Sequence, residues 1–548
     1  MLLTGSAAAV YALAVPNELL SEGSIVLALV ALSGYFAALA AADSYREARW
    51  IGVLFGALST LLSNYWLMYF GDFSVWTIGG VTLGYAVYHS LLGPILKRAW
   101  QNPRVWRALS VAAVWAAYEY LKSIGFLAYP WGLISYPAAR SLTLIQHVDI
   151  TGVWALSFVF AAFNALVAEQ MLPALQSGRP AGPHPSETGP RPAGELLRQL
   201  LWLCAIVALM LGYGIIRLRT PIAQVGTVRM VLVQQNIDAW QRGREQDALR
   251  RAQVLSRRAV DAAGDSAVDL VVWSETSLRR PYPEYRQFFA TNPPDYPFER
   301  FIRDLGVPLL TGAPYIADQQ NWDVYNAAIM IDRNAELVQY YGKQHLVPFA
   351  ESIPFWDVAL VRRFFQQAVG LYGVWSVAPD YRIFELPDTG SDAGGQTFKF
   401  GTPICFEDAF AYLIRGFVLS GADLLVNLTD NSWSATNSAQ YQHFVAARFR
   451  PVETRRTLVR STNSGLTSVI DAHGRVIAQL PMFEQATLTF DVPVYREHHL
   501  TVYTVWGDYL PQAMLALWLI LVVTQARRDG YLHRAAAKRP SIDKKTPR

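Results

Sequence analysis

Polar side chains that could do chemistry follow three apolar, strand-like runs in the second half of the 548-residue chain. The run VDLVVWSE ends on Glu275, YYGKQHLVPFAE carries Lys343 and then Glu351, and FKFGTPICFED delivers Cys405. A cysteine thiolate is a strong nucleophile. Because α/β enzymes place their sites at the ends of buried strands, these residues are the candidates for an active site.

Cys405 lies in the octapeptide GTPICFED, and the segment after it, AFAYLIRGFVL, has a helical pattern. A thiol at such a strand-to-helix turn would lie near the first amides of the helix. Those amides would lower its pKa and could hold an oxyanion.

Each candidate also has an ordinary structural explanation. A lone buried cysteine is more often a small core residue than a nucleophile. A single Glu or Lys after a strand is usually solvated or paired. His345 and His443 could each pair with Cys405 as in thiol proteases, although nothing in their spacing requires it.

The elements around these residues are predicted to form a layered α/β domain. Near-continuous apolar strands alternate with helical patterns such as EQDALRRAQVLSRRAVDAA and SAQYQHFVAARFRPVETR, which is typical of a sheet covered by helices. The predicted strands are VRMVLVQQN, VDLVVWSE, PLLTGAPY, YNAAIMID, FKFGTPICFE, ADLLVNLTD, TLVRSTNSG and LTSVIDA.

The rest of the chain is more apolar than this domain. The whole sequence has 52% hydrophobic and only 16% charged residues. Soluble domains average about one quarter charged residues. Apolar segments that approach the roughly 20 residues needed to cross a bilayer indicate eight membrane spans. The segments cover residues 1–15, 24–42, 50–70, 75–96, 105–121, 152–171, 199–216 and 510–526.

The charges of the connecting loops predict the orientation of these spans. Loops 2–3, 4–5 and 6–7 and the C-terminal tail are basic, loops 1–2 and 3–4 hold no Lys or Arg, and loop 5–6 holds only Lys122 and Arg140. The positive-inside rule therefore places both termini in the cytoplasm and the α/β block on the outer side.

This organisation divides the chain into four parts. Residues 1–221 would form a membrane domain of seven helices, with a Pro- and Gly-rich disordered linker at about 174–196. Residues 222–505 would form the outward domain, 506–527 the last span, and 528–548 a basic cytoplasmic tail. Two cysteines exclude a disulfide framework. The net charge of +4 comes largely from the tail and gives no reason to expect nucleic acid.

The motifs WSE, YGKQHLVPFAE, ICFED and NLTDNSW resemble the Glu–Lys–Cys signature of the nitrilase superfamily. The variant HLVPFAE, in a domain inserted before the last span, is similar to the apolipoprotein N-acyltransferases. Likeness continues in YEYLKSIGFLAYPWGLISY, HVDITGVWALSF, RSTNSGLTSVIDAHGRV and TVYTVWGDYLP. The resemblance implies a membrane α-helical bundle of about eight spans plus a nitrilase-like αββα sandwich.

The resemblance also implies roles for particular residues. Cys405 would be the nucleophile, Glu275 the general base and Lys343 the positive group beside the oxyanion. Supporting positions of the family correspond to Trp240, Glu351, Phe406 and Glu407. The family more often has Tyr at position 406, and NDAW where this chain has DNSW around Asp430 and Asn431.

The implied reaction moves an acyl chain from a membrane phospholipid to the α-amino group of the diacylglyceryl-modified N-terminal cysteine of an apolipoprotein, through a Cys405 thioester. No metal or organic cofactor is implied, and the chain has no HExxH or CxxC zinc pattern. We expect a monomer in the bacterial inner membrane, with the catalytic domain in the periplasm. The alternatives are a membrane-bound nitrilase-type amidase and a transporter or scaffold whose outer domain only binds.

Two further features are predicted to serve the membrane reaction. The segment 355–375, FWDVALVRRFFQQAVGLYGVW, is apolar and aromatic with an arginine pair, which favours a mobile arm that dips into the interface over an ordinary packed helix. Glu119 lies near the outer end of the fifth span. It could act on substrate or make an interfacial hydrogen bond.

Overall fold

The structure is a computed structural model of the chain. It describes all residues except 72–73, 177–192, 239–244, 265–266, 286–296, 371–372, 387–396, 521 and 524–548. Most of the predicted linker and the whole predicted tail therefore lie outside the described residues. The ends of the linker prediction, at 174–176 and 193–196, belong to helices.

Helices occupy all eight predicted apolar segments. They cover Leu2–Ala14, Ile25–Ala28, Ser33–Ala41, Tyr45–Ser63, Ser74–Trp100, Arg104–Leu121, Trp154–Gln176, Ala193–Arg219 and Tyr509–Ile520. Short helices also cover Leu142–Ile145 and Val148–Thr151. The helix Tyr45–Ser63 begins with a serine N-cap, because the Ser44 side chain accepts a hydrogen bond from the Glu47 amide.

Two described helical stretches, Trp154–Leu175 and Gly194–Arg219, are long and apolar enough to cross a bilayer. The stretches Leu2–Ala14, Ile25–Ala41 and Tyr509–Ile520 are apolar but shorter. The helix Arg104–Leu121 carries Arg104, Arg107 and Glu119 within 18 residues. The helical part of the prediction is thus observed, while the eight-span topology stays a prediction.

The second half of the chain contains two six-stranded sheets with related topologies. The order in the first is β12-β1-β2-β3-β4-β5 and in the second β11-β10-β9-β8-β7-β6. In each, three neighbouring strands are parallel (β1-β2-β3 and β7-β8-β9) and the flanking pairs are antiparallel. The strands are β1 Gln224–Gln234, β2 Leu270–Trp273, β3 Leu309–Asp318, β4 Asp323–Ile331, β5 Leu337–Gly342, β6 Ile383–Glu385, β7 Lys399–Gly401, β8 Leu424–Thr429, β9 Thr457–Thr462, β10 Ser468–Ile470, β11 Val476–Gln479 and β12 Ala486–Tyr495.

The sheets pack face to face, and helices cover their outer faces. The Ser461 hydroxyl on β9 reaches the Val272 carbonyl on β2 across the sandwich. Glu245–Ala263 and Phe298–Leu305 cover the first sheet, and Ala411–Leu419 and Asn437–Thr454 cover the second. The predicted α/β layered domain is confirmed, with its layers in the order helix, sheet, sheet, helix. Short helices also cover Ala359–Phe364 and Val502–Trp506.

A buried ion pair fixes this sandwich to the N-terminal helices. Arg455 follows the helix Asn437–Thr454 with a φ of +55° and is fully buried. Its guanidinium donates to Asp149 at 2.6 and 3.1 Å and to the Gln146 side chain at 2.7 Å. Asp149 also pairs with Arg217, at the end of Ala193–Arg219. Breaking a buried pair by removing one partner typically costs about 3–5 kcal/mol, so the two parts are firmly joined.

Candidate active site

Glu275 lies two residues beyond β2, where the chain leaves the sheet in a tight turn. Thr276 has a φ of +56°, and a Cβ on Gly312 of β3 would lie 2.7 Å from the Glu275 Cα. Only glycine allows β3 to pass this close to the turn. The local packing therefore fixes the backbone that carries the carboxylate.

The Glu275 carboxylate is buried and accepts three hydrogen bonds. Oε1 accepts from Asn326 Nδ2 at 2.9 Å and from Lys343 Nζ at 3.4 Å, and Oε2 accepts from the Asp430 amide at 2.9 Å. Burial raises the pKa of Glu275 above its ordinary value, although Lys343 opposes this. A carboxyl group with a raised pKa is suited to take and return a proton.

Lys343 follows β5 and is completely buried. Its ammonium lies 2.9 Å from Glu351 and 3.4 Å from Glu275. Burial alone would lower its pKa, but the two carboxylates outweigh burial and hold the pKa above its ordinary value. Lys343 is therefore a fixed positive charge.

Glu351 holds that ammonium in place. Its carboxylate also accepts from Asn326 Nδ2 at 3.0 Å and from the Val347 amide at 2.8 Å. The groups that hydrogen-bond this carboxylate in the structure all carry N–H donors: the Lys343 ammonium, the Asn326 side chain and the Val347 backbone amide. Glu351, which the resemblance places among the supporting positions of the family, thus contacts Lys343 directly.

Cys405 lies on a short 3₁₀ turn, Cys405–Ala409, after the bridge between Ile404 and Leu428 of β8. The residue has a φ of +54°, a left-handed conformation that is uncommon for residues other than glycine. Asn427 on β8 holds the turn, because its Nδ2 donates to the Cys405 carbonyl at 2.9 Å. A strained backbone at a nucleophile fits an active site.

The expectation that helix amides lower the pKa of this thiol is wrong. The pKa of Cys405 is raised well above its ordinary value by burial and by the Glu275 carboxylate, while Lys343 and the Phe406 amide act in the opposite direction. The regular helix begins only at Ala411, and burial outweighs the lowering effect of the Phe406 amide in the 3₁₀ turn. The resting thiol is protonated and needs a base to attack.

Glu407 ties the nucleophile turn to the loop that carries Lys343. Its carboxylate is fully buried and accepts from the amides of Ile404, Gln344 and His345 at 2.8, 2.8 and 3.0 Å. The Tyr341 hydroxyl donates to it as well. Burial raises the pKa of Glu407 to about 7, against the effect of these amides. The structure gives Glu407 no hydrogen bond to Glu275, and its carboxylate joins the loop after Lys343 to the residue before Cys405.

Phe406 lies in an aromatic environment. Its ring centroid is 5.3 Å from His345, 5.1 Å from Phe410 and 6.2 Å from Trp131. The Lys343 ammonium lies 5.4 Å from the Phe406 ring, within cation–π range. The ring therefore packs against the charged group without needing a hydroxyl.

The two histidines are engaged elsewhere. His443 Nε2 lies 2.6 Å from Asp408, which also accepts from Arg460 at 2.9 Å. His345 Nδ1 lies 2.8 Å from the Tyr412 hydroxyl. Burial lowers the pKa of His345 to about 4. The structure gives neither ring a hydrogen bond to Cys405.

The remaining candidate residues from the sequence are Trp240, Asp430 and Asn431. Trp240 lies outside the described residues. Asp430 contributes its backbone amide to Glu275, and the Asn431 side chain lies 3.4 Å from His443. Sequence reasoning missed Asn326, the β4 residue that joins Glu275 and Glu351; its only signal was an amide inside the apolar run YNAAIMID.

The segment predicted as an arm forms the short helix Ala359–Phe364, and none of its residues is buried. Leu360 is 78% exposed, Phe364 is 50% exposed, and the Phe364 ring contacts Trp76 on the helix Ser74–Trp100. This exposure is unlike a packed helix. Glu119 is fully buried and accepts from the Ile134 amide at 2.8 Å.

A carboxylate, an ammonium and a thiol follow β2, β5 and β7 in turn. The carboxylate and the ammonium are 3.4 Å apart, and the charges of both act on the pKa of the thiol. Among the residues that the structure describes, no group of three or more His, Cys, Asp or Glu side chains could hold a metal ion. Groups of these types suit nucleophilic substitution at a carbonyl, in which a thiol attacks and a carboxylate moves the proton.

Two family descriptions match the chain. Residues 7–166 match the apolipoprotein N-acyltransferase N-terminal domain, and residues 230–497 match carbon-nitrogen hydrolase. The apolipoprotein N-acyltransferase 2 of Treponema denticola is 36% identical over 518 residues, which cover 94% of this chain and 96% of that protein. The apolipoprotein N-acyltransferase of Borreliella burgdorferi is 30% identical and covers 93% and 92%. Among solved structures, Saccharomyces cerevisiae Nit3, a member of branch 10 of the nitrilase superfamily, is 17% identical with a TM-score of 0.35 and covers 50% of this chain and 93% of its own.

Proposed function

Because the chain belongs to the apolipoprotein N-acyltransferase family, we propose that it transfers an acyl chain from a membrane phospholipid to the α-amino group of a diacylglyceryl-modified lipoprotein cysteine through a thioester on Cys405. The observation that carries the chemistry is the buried contact between Lys343 and Glu275 beside the Cys405 turn.

In the first half-reaction the Cys405 sulfur attacks an ester carbonyl of the phospholipid while Glu275 takes the thiol proton. Lys343 stabilises the oxyanion. Collapse breaks the carbon–oxygen bond, and the departing lysophospholipid oxygen takes the proton back from Glu275. The product is a thioester, and Glu275 is again ionised for the next step.

In the second half-reaction the neutral α-amino group of the lipoprotein attacks the thioester carbonyl. Glu275 takes a proton from the nitrogen, and the collapsing oxyanion expels the Cys405 sulfur. The sulfur recovers the proton from Glu275, so the enzyme returns to its starting state. The raised pKa of the thiol keeps the resting sulfur neutral between cycles.

We propose the predicted topology for the membrane part: eight spans, both termini in the cytoplasm, and the α/β domain in the periplasm. The proposed division is 1–221, 222–505, 506–527 and 528–548, in a monomeric inner-membrane protein. Support comes from helices at all eight apolar segments and from the pattern of basic loops. Both lipid-anchored substrates would then meet Cys405 at the outer leaflet.

Intact mass spectrometry of purified protein incubated with phosphatidylethanolamine tests this function. We expect a mass increase of one acyl group on Cys405 that persists in water and is discharged by a diacylglyceryl-cysteine peptide. Prompt loss in water alone would instead indicate the amidase-type hydrolase. No adduct would contradict acyl transfer altogether.

The matched controls use the two cysteines of the chain. Cys405→Ala must abolish the adduct, whereas Cys204→Ala must leave it, because Cys204 is an exposed thiol within the helix Ala193–Arg219. An adduct that survives Cys405→Ala would exclude Cys405 as the nucleophile.

A further inference from the structure

Asp408, the third residue after Cys405, is a buried charged group that the chemistry above does not use. Its side chain is completely buried, and it lies on the same 3₁₀ turn, Cys405–Ala409, as the nucleophile. A carboxylate is almost never buried unless it is paired. The partners of Asp408 therefore indicate its role.

Two groups from the second sheet and its covering helix pair with Asp408. The Arg460 guanidinium on β9 donates from Nε to Oδ2 at 2.9 Å, and Nε2 of His443, on the helix Asn437–Thr454, lies 2.6 Å from Oδ1. Burial alone would raise the pKa of Asp408, but Arg460 and His443 outweigh burial and hold the pKa below its ordinary value. Both oxygens of the ionised carboxylate therefore have a hydrogen-bond partner.

Asp408 and its neighbour Glu407 connect the turn to different sheets. Glu407 accepts from the backbone amides of Gln344 and His345, in the loop after β5 of the first sheet. Asp408 is bound to β9 of the second sheet and to the helix that covers this sheet. The turn that carries the nucleophile is therefore fixed to both sheets of the sandwich.

The conformation of Cys405 depends on such fixing. Its φ of +54° is left-handed, and a residue other than glycine keeps this strained conformation only where the surrounding structure over-determines it. Asn427 Nδ2 holds the Cys405 carbonyl, and the Glu407 carboxylate holds the Ile404 amide. These two bonds act at or before the nucleophile, whereas Asp408 anchors the turn three residues after it.

The His443 ring that pairs with Asp408 packs against the N-terminal part of the chain. His443 is buried, and its ring centroid lies 5.7 Å from that of Trp131. The Trp131 carbonyl accepts from the buried Lys122 ammonium at 2.7 Å. The support of the turn thus continues into the segment that follows the helix Arg104–Leu121.

We propose that Asp408 is a positioning residue: held by Arg460 and His443, it keeps the turn in the conformation that presents the Cys405 sulfur to the reacting carbonyl. Asp408 acts through the backbone of the turn, since the structure gives its carboxylate no hydrogen bond to Cys405. This inference rests on the proposed function, because the reacting carbonyl belongs to that reaction.

Asp408→Asn keeps the size of the side chain and removes its charge. We expect kcat for acylation of Cys405 by phosphatidylethanolamine to fall by about tenfold to hundredfold, because a displacement of about 1 Å at the reacting atom can cost about a hundredfold in rate. KM should keep its wild-type value, since Asp408 acts only after the lipid is bound. A wild-type kcat would overturn the proposal, and so would a loss expressed in KM alone.

A second substitution separates positioning from a general loss of stability. Asp408→Asn leaves the Arg460 charge buried without a carboxylate, so the Tm should fall as well. Among the described residues, Asp408 is the only hydrogen-bond partner of the Arg460 side chain, so Arg460→Met removes no other hydrogen bond of that side chain. Adding Arg460→Met should restore the Tm, since replacing both partners of a buried ion pair is often neutral, while kcat stays low. Recovery of kcat together with the Tm would refute the positioning role.

The matched control is Asp423→Asn. Asp423 is also a buried aspartate paired with an arginine, and its Oδ1 lies 2.6 Å from Arg496. It precedes β8, whereas Asp430, whose amide contacts Glu275, follows β8. We expect the kcat of this variant to be that of the wild type. An equal fall in kcat in the control would mean that the effect is not specific to Asp408, and would refute its role.

Hydrogen exchange followed by mass spectrometry tests the turn without any reaction. The peptide covering residues 404–410 contains the amides of Ile404, Glu407 and Phe410, which are hydrogen-bonded within the turn. These amides should exchange faster in Asp408→Asn and in the double variant, and at the wild-type rate in the control. If the wild-type protein forms no acyl adduct, the proposed function fails, and this exchange alone decides whether Asp408 holds the turn. Wild-type exchange rates in Asp408→Asn refute the proposal.

Discussion

Replacing Glu351 by Gln should lower the pH at which acylation begins. The Glu351 carboxylate raises the pKa of both Glu275 and Cys405. The glutamine amide carries no charge, so the ionised forms of both groups become more favourable in the variant. Since Glu275 must be ionised to accept the thiol proton, the acidic limb of the rate profile should move to lower pH.

The size of the shift follows from the geometry around Asn326. The Oε1 atoms of Glu275 and Glu351 lie 2.9 and 3.0 Å from the same Asn326 nitrogen. They are therefore at most about 6 Å apart, where two charges at an effective dielectric constant of about 20 repel by about 3 kcal/mol. That repulsion corresponds to about two pKa units. We expect a shift of about one to two pH units, because Glu351 is partly exposed.

The rate of acylation should also fall, because both carboxylate oxygens of Glu351 accept hydrogen bonds from N–H groups. The new amide NH₂ must face Lys343, Asn326 or the Val347 amide. Losing a hydrogen bond to a charged group typically costs about 1.5–3 kcal/mol. We therefore expect the acylation rate to decrease by about tenfold to hundredfold.

The assay is single-turnover acylation of Cys405 followed by mass spectrometry between pH 5 and 9. Alkylation of Cys405 by iodoacetamide, in a Cys204→Ala background, reports the thiol pKa even if the variant transfers no acyl group. Glu385→Gln, an exposed glutamate paired with Lys399, is the matched control. If both the acidic limb and the alkylation profile stay where they are in the wild type, the inferred electrostatic coupling does not exist.

Three further changes have defined outcomes. Asn326→Ala removes the donor shared by two carboxylates, so acylation should fall by about tenfold to hundredfold in kcat; an unchanged kcat would show that Asn326 does not position Glu275. Glu407→Gln places an amide NH₂ against buried donors, so thermal denaturation in detergent should show a loss of about 1–3 kcal/mol; an unchanged Tm would remove the positioning role. Phe364→Ser with Phe365→Ser should weaken acyl transfer from vesicles without lowering the Tm, because neither ring is buried; unchanged transfer would contradict the membrane arm.

The sequence was most informative where one chemical pattern dominates a segment. All eight predicted strands exist, because β-branched and aromatic runs bounded by turn residues leave few alternatives. The helices Glu245–Ala263 and Asn437–Thr454 also fall on their predicted patterns. The strands β6, β11 and β12, at the edges of the two sheets, were missed. β6 and β11 span only three and four residues, and β12 contains Pro493.

The site was predictable as a set of residues but not as a set of contacts. The positions of Glu275, Lys343 and Glu351 followed from strand ends and motif resemblance, and the structure brings their side chains together. Asn326 could not be found in this way, since a single amide within a strand has no spacing signal. The thiol pKa was predicted in the wrong direction because local sequence indicates a helix start but neither the burial of the thiol nor the two carboxylates from distant segments.

The ion pair between Arg455 and Asp149 has a consequence for how substrates exchange. Arg455 anchors the sheet that carries Cys405, and Asp149 belongs to the short helix Val148–Thr151 among the N-terminal helices. With this buried ion pair intact, the sheet that carries Cys405 keeps one position relative to the N-terminal helices. In the proposed function the two lipid substrates would then replace each other by lateral diffusion past a stationary thiol.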